Sequence, residues 1–106
     1  MAKKPAIRRR IETSLMEQLA LLGAMKEHYM DLIQDYLKLW DVKKMLFEDI
    51  AERGITFKEI NASGMKVEKN NPSTKEVMAI NKQMLSLLKE LGLSTSNASG
   101  SEDDDL

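Results

Sequence analysis

Apolar residues recur at helical spacing along three stretches of this chain, with one short stretch between them where they alternate instead. Ile7, Ile11, Leu15, Leu19 and Leu22 draw one apolar stripe, which predicts a first helix from about Ala6 to Leu22. From about Ala24 to Arg53 there is neither Gly nor Pro, and Tyr29, Leu32, Ile33, Tyr36, Leu37, Leu39, Trp40, Leu46, Phe47 and Ile50 hold helical register. With the rise of an α-helix this second element is about 45 Å long. So long a stripe exceeds what one short neighbouring helix covers, and it calls for two helices or a partner chain. Gly54 ends it, with Arg53 favourably placed against the helix dipole.

Ile55, Phe57, Met65 and Val67 then alternate with polar residues on either side of Asn61-Ala62-Ser63-Gly64, the pattern of a small β-hairpin. A two-stranded ribbon is marginal alone, so it must lean on a helix or a neighbouring subunit. A third helix opens at Asn71-Pro72-Ser73, either with Asn71 as the cap and Pro72 as first helical residue, or with Ser73 as the cap and Glu76 completing a capping box. Val77, Ile80, Met84, Leu87 and Leu91 follow as a two-heptad seam of coiled-coil type, while Met78, Leu85 and Leu88 form a second apolar line. One line is expected to face the chain's own core and the other a second subunit. The fold class is therefore mainly α, oligomeric, with three helices including one long central helix and a small hairpin between the second and third. Residues 1–6 read as a basic N-terminal arm, 7–93 as the helical core and oligomerisation domain, and 94–106 as an acidic tail with no core-forming pattern, expected to be disordered.

At 106 residues the chain is at most one domain, with a core modest enough for self-association to add stability. Charge changes the picture more than composition does. The net charge of −1 conceals five bases and no acid in the first ten residues (Lys3, Lys4, Arg8, Arg9 and Arg10) and four consecutive acids near the end (Glu102, Asp103, Asp104 and Asp105). A polyanion would meet the first segment and a basic partner the second; charged ends that only keep the chain in solution are the bland alternative. Lys66 and Lys69 on the hairpin, with Lys75 just beyond it, form a second candidate basic patch.

Catalytic signatures are missing. The chain has no cysteine and one histidine, His28, which leaves no His/Cys metal site and no nucleophile–histidine set of the usual kind. Asp31 and Asp35, one turn apart, read as solvated acids rather than metal ligands. The glycines are too scattered for a phosphate loop. No apolar run reaches the roughly 20 residues of a membrane span, and no signal-peptide core follows the basic start, so a cytoplasmic protein is expected. The residues describe a non-enzymatic binding protein without cofactor or metal. Its eight methionines are read first as core, with an adaptable association surface as the sharper alternative.

The stretch Asp31-Leu32-Ile33-Gln34-Asp35-Tyr36-Leu37-Lys38-Leu39-Trp40-Asp41, continuing through Lys43, Lys44, Leu46, Asp49 and Ile50 to Arg53-Gly54, resembles the central helix of phage terminase small subunits. Asn81-Lys82-Gln83-Met84-Leu85, with Leu87-Leu88 and Leu91-Gly92-Leu93, resembles the closing helix of the same family. The resemblance covers roughly Leu22 to Leu93. It implies a role in viral DNA packaging in the bacterial host cytoplasm: binding double-stranded phage DNA near the packaging site, recruiting or regulating the ATPase and nuclease large subunit, and acting as a homo-oligomer, usually a ring. On that basis DNA contact is expected at Lys3, Lys4, Arg8, Arg9 and Arg10, with Lys66 and Lys69 second. Oligomer contacts are expected at Tyr36, Trp40, Met78, Leu85 and Leu88, and large-subunit contact at Glu102, Asp103, Asp104 and Asp105. Many small subunits carry a separate N-terminal helix-turn-helix domain, and no such pattern appears here. The competing expectation is a non-catalytic helical adaptor or prophage accessory protein that binds only protein.

Overall fold

The structure, a computed structural model, describes residues 5–93, and two helix-ending motifs of the same kind set its path. After α1 (Ala6–Leu21) the Gly23 amide donates to the Ala20 carbonyl and the Ala24 amide to that of Leu19. After α3 (Pro72–Glu90) the Gly92 amide donates to Lys89 and the Leu93 amide to Leu88. Both are Schellman caps, in which the residue past the glycine packs back on the last turn. Ala24 and Leu93 accordingly join Leu19 and Leu88 in the core cluster.

The first cap corrects one sequence boundary. Helix α2 begins at Glu27 rather than near Ala24, because the chain must leave the cap and reverse before a new helix starts. Lys26 is extended at that point, with φ −95° and ψ 155°. From Glu27 the helix runs unbroken to Arg53.

Helices α1 and α3 both lie antiparallel to α2, as the cross-helix hydrogen bonds show. Arg8 reaches Asp41 and Glu12 reaches Gln34, whereas Lys43 reaches Asn81 and Asp49 reaches Ser73. The core lies where all three meet: Leu15 and Leu19 of α1, Ile33 and Leu37 of α2, and Leu91 and Leu93 at the end of α3. Met84 and Trp40 are also buried. In the seam of α3, Met84 and Leu91 are buried and Val77, Ile80 and Leu87 half-buried, so this heptad line packs within the chain.

Strands β1 (Thr56–Ile60) and β2 (Lys66–Asn70) form the expected antiparallel hairpin between α2 and α3. Asn61 makes the turn: its side-chain Oδ1 accepts from the amides of Ser63 and Met65, and its own amide donates to the Met65 carbonyl. Phe57 and Val67 are the half-buried side chains of the ribbon, and the Arg53 guanidinium lies 4.8 Å from the Phe57 ring centroid. Cation–π contact thus ties the ribbon to the end of α2.

The root of the hairpin is fastened by Asn71, whose side chain is fully buried. Its Oδ1 accepts from the Ser73 amide at 2.9 Å and from Arg53 Nη2 at 3.1 Å, while its Nδ2 donates to the Gly54 carbonyl at 2.9 Å. Asn71 is therefore the N-cap of α3, with Pro72 at its first position, which decides between the two caps the sequence allowed. Ser73 donates its hydroxyl to Asp49 Oδ2 at 2.7 Å. Asp49 also receives two bonds from Arg53, at 2.9 and 3.0 Å. Hydrogen bonds from Arg53, Ser73 and Asn71 hold the Asp49 carboxyl well below the usual carboxylate range.

Large apolar side chains remain exposed along the described chain, among them Leu21 at 80 %, Met78 at 71 % and Met45 at 65 %.

Two outcomes are expected. Asn71→Ala removes the cap and leaves the Gly54 carbonyl and Arg53 short of a partner. It should cost about 2 kcal/mol or more, on the order of 10 °C in Tm, whereas Asn70→Ala on the exposed ribbon should change stability by no more than about 0.5 kcal/mol. On acidification the unfolded Asp49 binds its proton first, near pH 4, while the folded carboxylate resists. The stability it contributes is complete above about pH 4 and declines below it. Asp49→Asn should be less stable than the parent at neutral pH, and denaturant melts should show the gap closing toward about pH 2.

Candidate nucleic-acid interface

Three successive arginines enter α1, and the helix sends them to different places. Arg8 is buried, only 7 % exposed. Its Nε lies 2.7 Å from Asp41 Oδ1 and its Nη2 3.0 Å from Oδ2, a two-bond fork that clamps the start of α1 to the middle of α2. Placing Arg8 among the DNA contacts thus needs correction: its guanidinium is occupied within the chain, and extracting it would leave Asp41 without its partner. Asp41 thereby fixes a contact between two helices of a single chain.

Arg9 and Arg10 are exposed. With Ala6, Thr13, Ser14 and Glu17 they line a shallow groove of about 450 Å³ along the outer side of α1. Its polar lining is two cations, two hydroxyls and one acid, Glu17, so that guanidinium and hydroxyl donors stand together toward its N-terminal end, a set suited to anionic oxygens. Lys3 and Lys4 lie outside the described residues.

The hairpin lysines do not form one patch. Register pairs Ile60 with Lys66 and Phe57 with Lys69, and side chains alternate faces along each strand. Lys66 therefore shares a face with Thr56, Lys58, Ile60 and Glu68, the last directly opposite Lys58, while Lys69 shares the opposite face with Phe57, Glu59 and Val67. Lys69 Nζ is 3.9 Å from Glu59 Oε2. Proximity along the chain joins Lys66 to Lys69; the strand register joins it instead to Lys58, a residue that period-two alternation could have found.

Among the expected oligomer contacts, Trp40 is 8 % exposed and its ring lies beneath Lys44 Nζ, 5.7 Å from the centroid. It is a core residue with little surface to offer a partner, which corrects its assignment to the interface. Tyr36 is half-buried against the core cluster, and burial pushes its phenol pKa up. Leu88 also packs on that cluster. Met78 and Leu85, by contrast, are 71 % and 55 % exposed and lie seven residues apart on one side of α3. Glu102, Asp103, Asp104 and Asp105 lie outside the described residues.

His28 is exposed and packs its ring on Tyr29, with centroids 4.4 Å apart. Among the described residues no group of three or more His, Cys, Asp or Glu side chains is placed to hold a metal ion, and no helix is long and apolar enough to cross a membrane.

A sequence model of a protein family, described as phage terminase, small subunit, matches residues 13–103. The chain belongs to the phage terminase small subunit family. Its role is therefore in phage DNA packaging, in a family that is generally non-catalytic. No curated protein and no solved structure matches it. The match begins at Thr13, after all three arginines, and it includes the Asp41 and Asp49 partners on α2 and the whole of the hairpin and α3.

The different settings of the arginines predict different losses. Arg8→Ala should destabilise the fold by about 2–3 kcal/mol, because Asp41 is left partly buried without its partner. Arg10→Ala should change stability by no more than about 0.5 kcal/mol. Thermal melts of the two variants, measured side by side, check the partition.

Proposed function

We propose that this small subunit binds double-stranded phage DNA through the outer side of α1, acts as a homo-oligomeric ring, and brings the packaging large subunit to the DNA in the host cytoplasm. The single observation that carries the DNA contact is the fate of the three arginines. Arg8 anchors the helix to Asp41, while Arg9 and Arg10 line an open groove. Lys3 and Lys4 precede that groove in the sequence and add charge at the same end. Lys66, on the face with Lys58 and Glu68, is the second contact, and Lys69 the weaker one because its own ammonium lies 3.9 Å from Glu59.

Two exposed arginines alone make a weak site. A ring repeats it once per subunit, and repetition multiplies weak phosphate contacts into useful affinity. Support for assembly comes from the bare apolar line of Met78 and Leu85 on α3. Tyr36 and Leu88 border the core and contribute at most their exposed edges. The acidic residues Glu102, Asp103, Asp104 and Asp105 are the proposed contact with the large subunit, through basic groups on that partner.

Light scattering on the protein alone and with duplex DNA, at about 50 mM and about 500 mM salt, tests this reading. A single oligomer well above the 12.0 kDa protomer should form, and its mass should rise with DNA only at the lower salt. Arg9→Glu with Arg10→Glu should weaken duplex binding about tenfold or more at the lower salt. The same pair should flatten the salt dependence by about one unit for each phosphate that is no longer neutralised. Met78→Glu with Leu85→Glu should reduce the oligomer to smaller species. A monomer or dimer indifferent to DNA would sink the reading and favour an adaptor that binds only protein.

A further inference from the structure

Helix α3 carries a second heptad line on the side opposite its buried seam. Lys75, Met78, Lys82, Leu85 and Lys89 succeed one another at helical steps of three and four residues, and all are exposed. The line holds lysines and bare apolar side chains in alternation and no acid. Helix α2 has a line of the same spacing on the side away from Ile33, Leu37 and Trp40. It consists of Asp31, Asp35, Lys38, Val42, Met45, Asp49 and Glu52. Asp49 is engaged by Arg53 and Ser73, while the other members are exposed. Asp31, Asp35 and Glu52 outweigh Lys38, so this line is negative. Among the described residues, neither the three lysines of α3 nor Asp31, Asp35 and Glu52 have an ion pair or a side-chain hydrogen bond.

The two lines agree in layout as well as in sign. Each puts its apolar pair in the middle and charge at both ends, as an interface with an apolar centre and a polar rim requires. Lys75 and Lys89 stand about 10 and about 11 Å along the helix from the midpoint between Met78 and Leu85. Asp35 and Glu52 each stand about 13 Å from the midpoint between Val42 and Met45. With the midpoints together, each terminal lysine is within side-chain reach of a carboxylate, whichever way the two helices run. Lys38, one turn inside Asp35, lessens the attraction at that end. A phosphate backbone would use the lysines and leave Met78 and Leu85 without a partner; a second copy of this chain uses both.

We propose that the α3 line of one protomer packs along the α2 line of the next, in the manner of two helices of a coiled coil. The pairing rests on the assembly reading above and names both sides of its contact. Because the two lines differ, the interface is heterologous. Each protomer presents its α3 line to one neighbour and its α2 line to the other, and such contacts close into a ring when the rotation per subunit allows. An α3-to-α3 contact would instead set Lys75, Lys82 and Lys89 against their own copies, and like charges so placed oppose association.

Charge reversal in the full chain, read by light scattering, tests the pairing. Lys75→Glu with Lys82→Glu on α3, and separately Asp35→Lys with Glu52→Lys on α2, should each raise the dissociation constant of the assembly about tenfold or more. Mixed in equal amounts, the two proteins should regain the parent mass, and so should one chain carrying all four changes. A four-fold variant that stays dissociated, or an α2 variant that assembles like the parent, would overturn the pairing. So would an α3 variant that loses duplex affinity at unchanged mass, which would give the lysines to DNA. The absence of cysteine supplies a second readout, from one protein carrying Met45→Cys and another carrying Leu85→Cys. Under mild oxidation the mixture should crosslink between the two kinds of chain about tenfold faster than either kind crosslinks to itself. A Leu85→Cys chain that crosslinks chiefly to its own kind would overturn the pairing. If the parent is a monomer, the assembly reading falls and the pairing with it; a parent that assembles and ignores all the reversals sinks the pairing alone.

Discussion

Asn71 is the residue on which the arrangement of the chain depends. Its side chain, fully buried, bonds simultaneously to the backbone that closes α2, to the arginine that ends α2 and to the amide that opens α3. Its backbone amide donates to the Ile55 carbonyl at 2.7 Å and closes the base of the hairpin. Asp49 and Ser73 complete the set, so that α2, the ribbon and α3 share one polar joint. A buried amide has its desolvation offset only when its donors and acceptors are matched together. That requirement fixes the direction in which α3 returns along α2. Gly54 contributes the remaining constraint: with φ 88° and ψ 174° it adopts a conformation open almost only to glycine, and a Cβ there would press to 3.2 Å on the Thr56 carbonyl.

At the other end of the molecule the ordering is apolar. Two Schellman caps fold Ala24 and Leu93 onto the last turns before them, and both enter the cluster built from Leu15, Leu19, Ile33 and Leu37. The protomer is thus closed by a polar joint at the hairpin end and by an apolar plug at the α1–α2 turn, with Arg8 and Asp41 bracing the length between them. Exposed beyond these restraints are Arg9 and Arg10 on α1, Lys58 and Lys66 on one face of the ribbon, and Met78 and Leu85 on α3.

Periodicity by itself was enough for the three helices and the hairpin between them, since helical and strand patterns are local and the glycines punctuate them; it drew two apolar lines on α3 without deciding which is buried. The family was legible too, in the Asp31–Asp41 stretch of α2 and the Asn81–Leu93 stretch closing α3. Three matters waited on tertiary structure. Arg8, Arg9 and Arg10 are indistinguishable in composition, and only the position of Asp41 on a different helix separates a structural arginine from two exposed ones. Lys66 and Lys69 are close in sequence, and only the strand register puts them on opposite faces. Trp40 and Met78 are both apolar residues on helices, and only the packing of α1 and α3 around α2 buries the first and leaves the second bare. Each of these depends on which residues from distant parts of the chain meet, a property that local spacing does not carry.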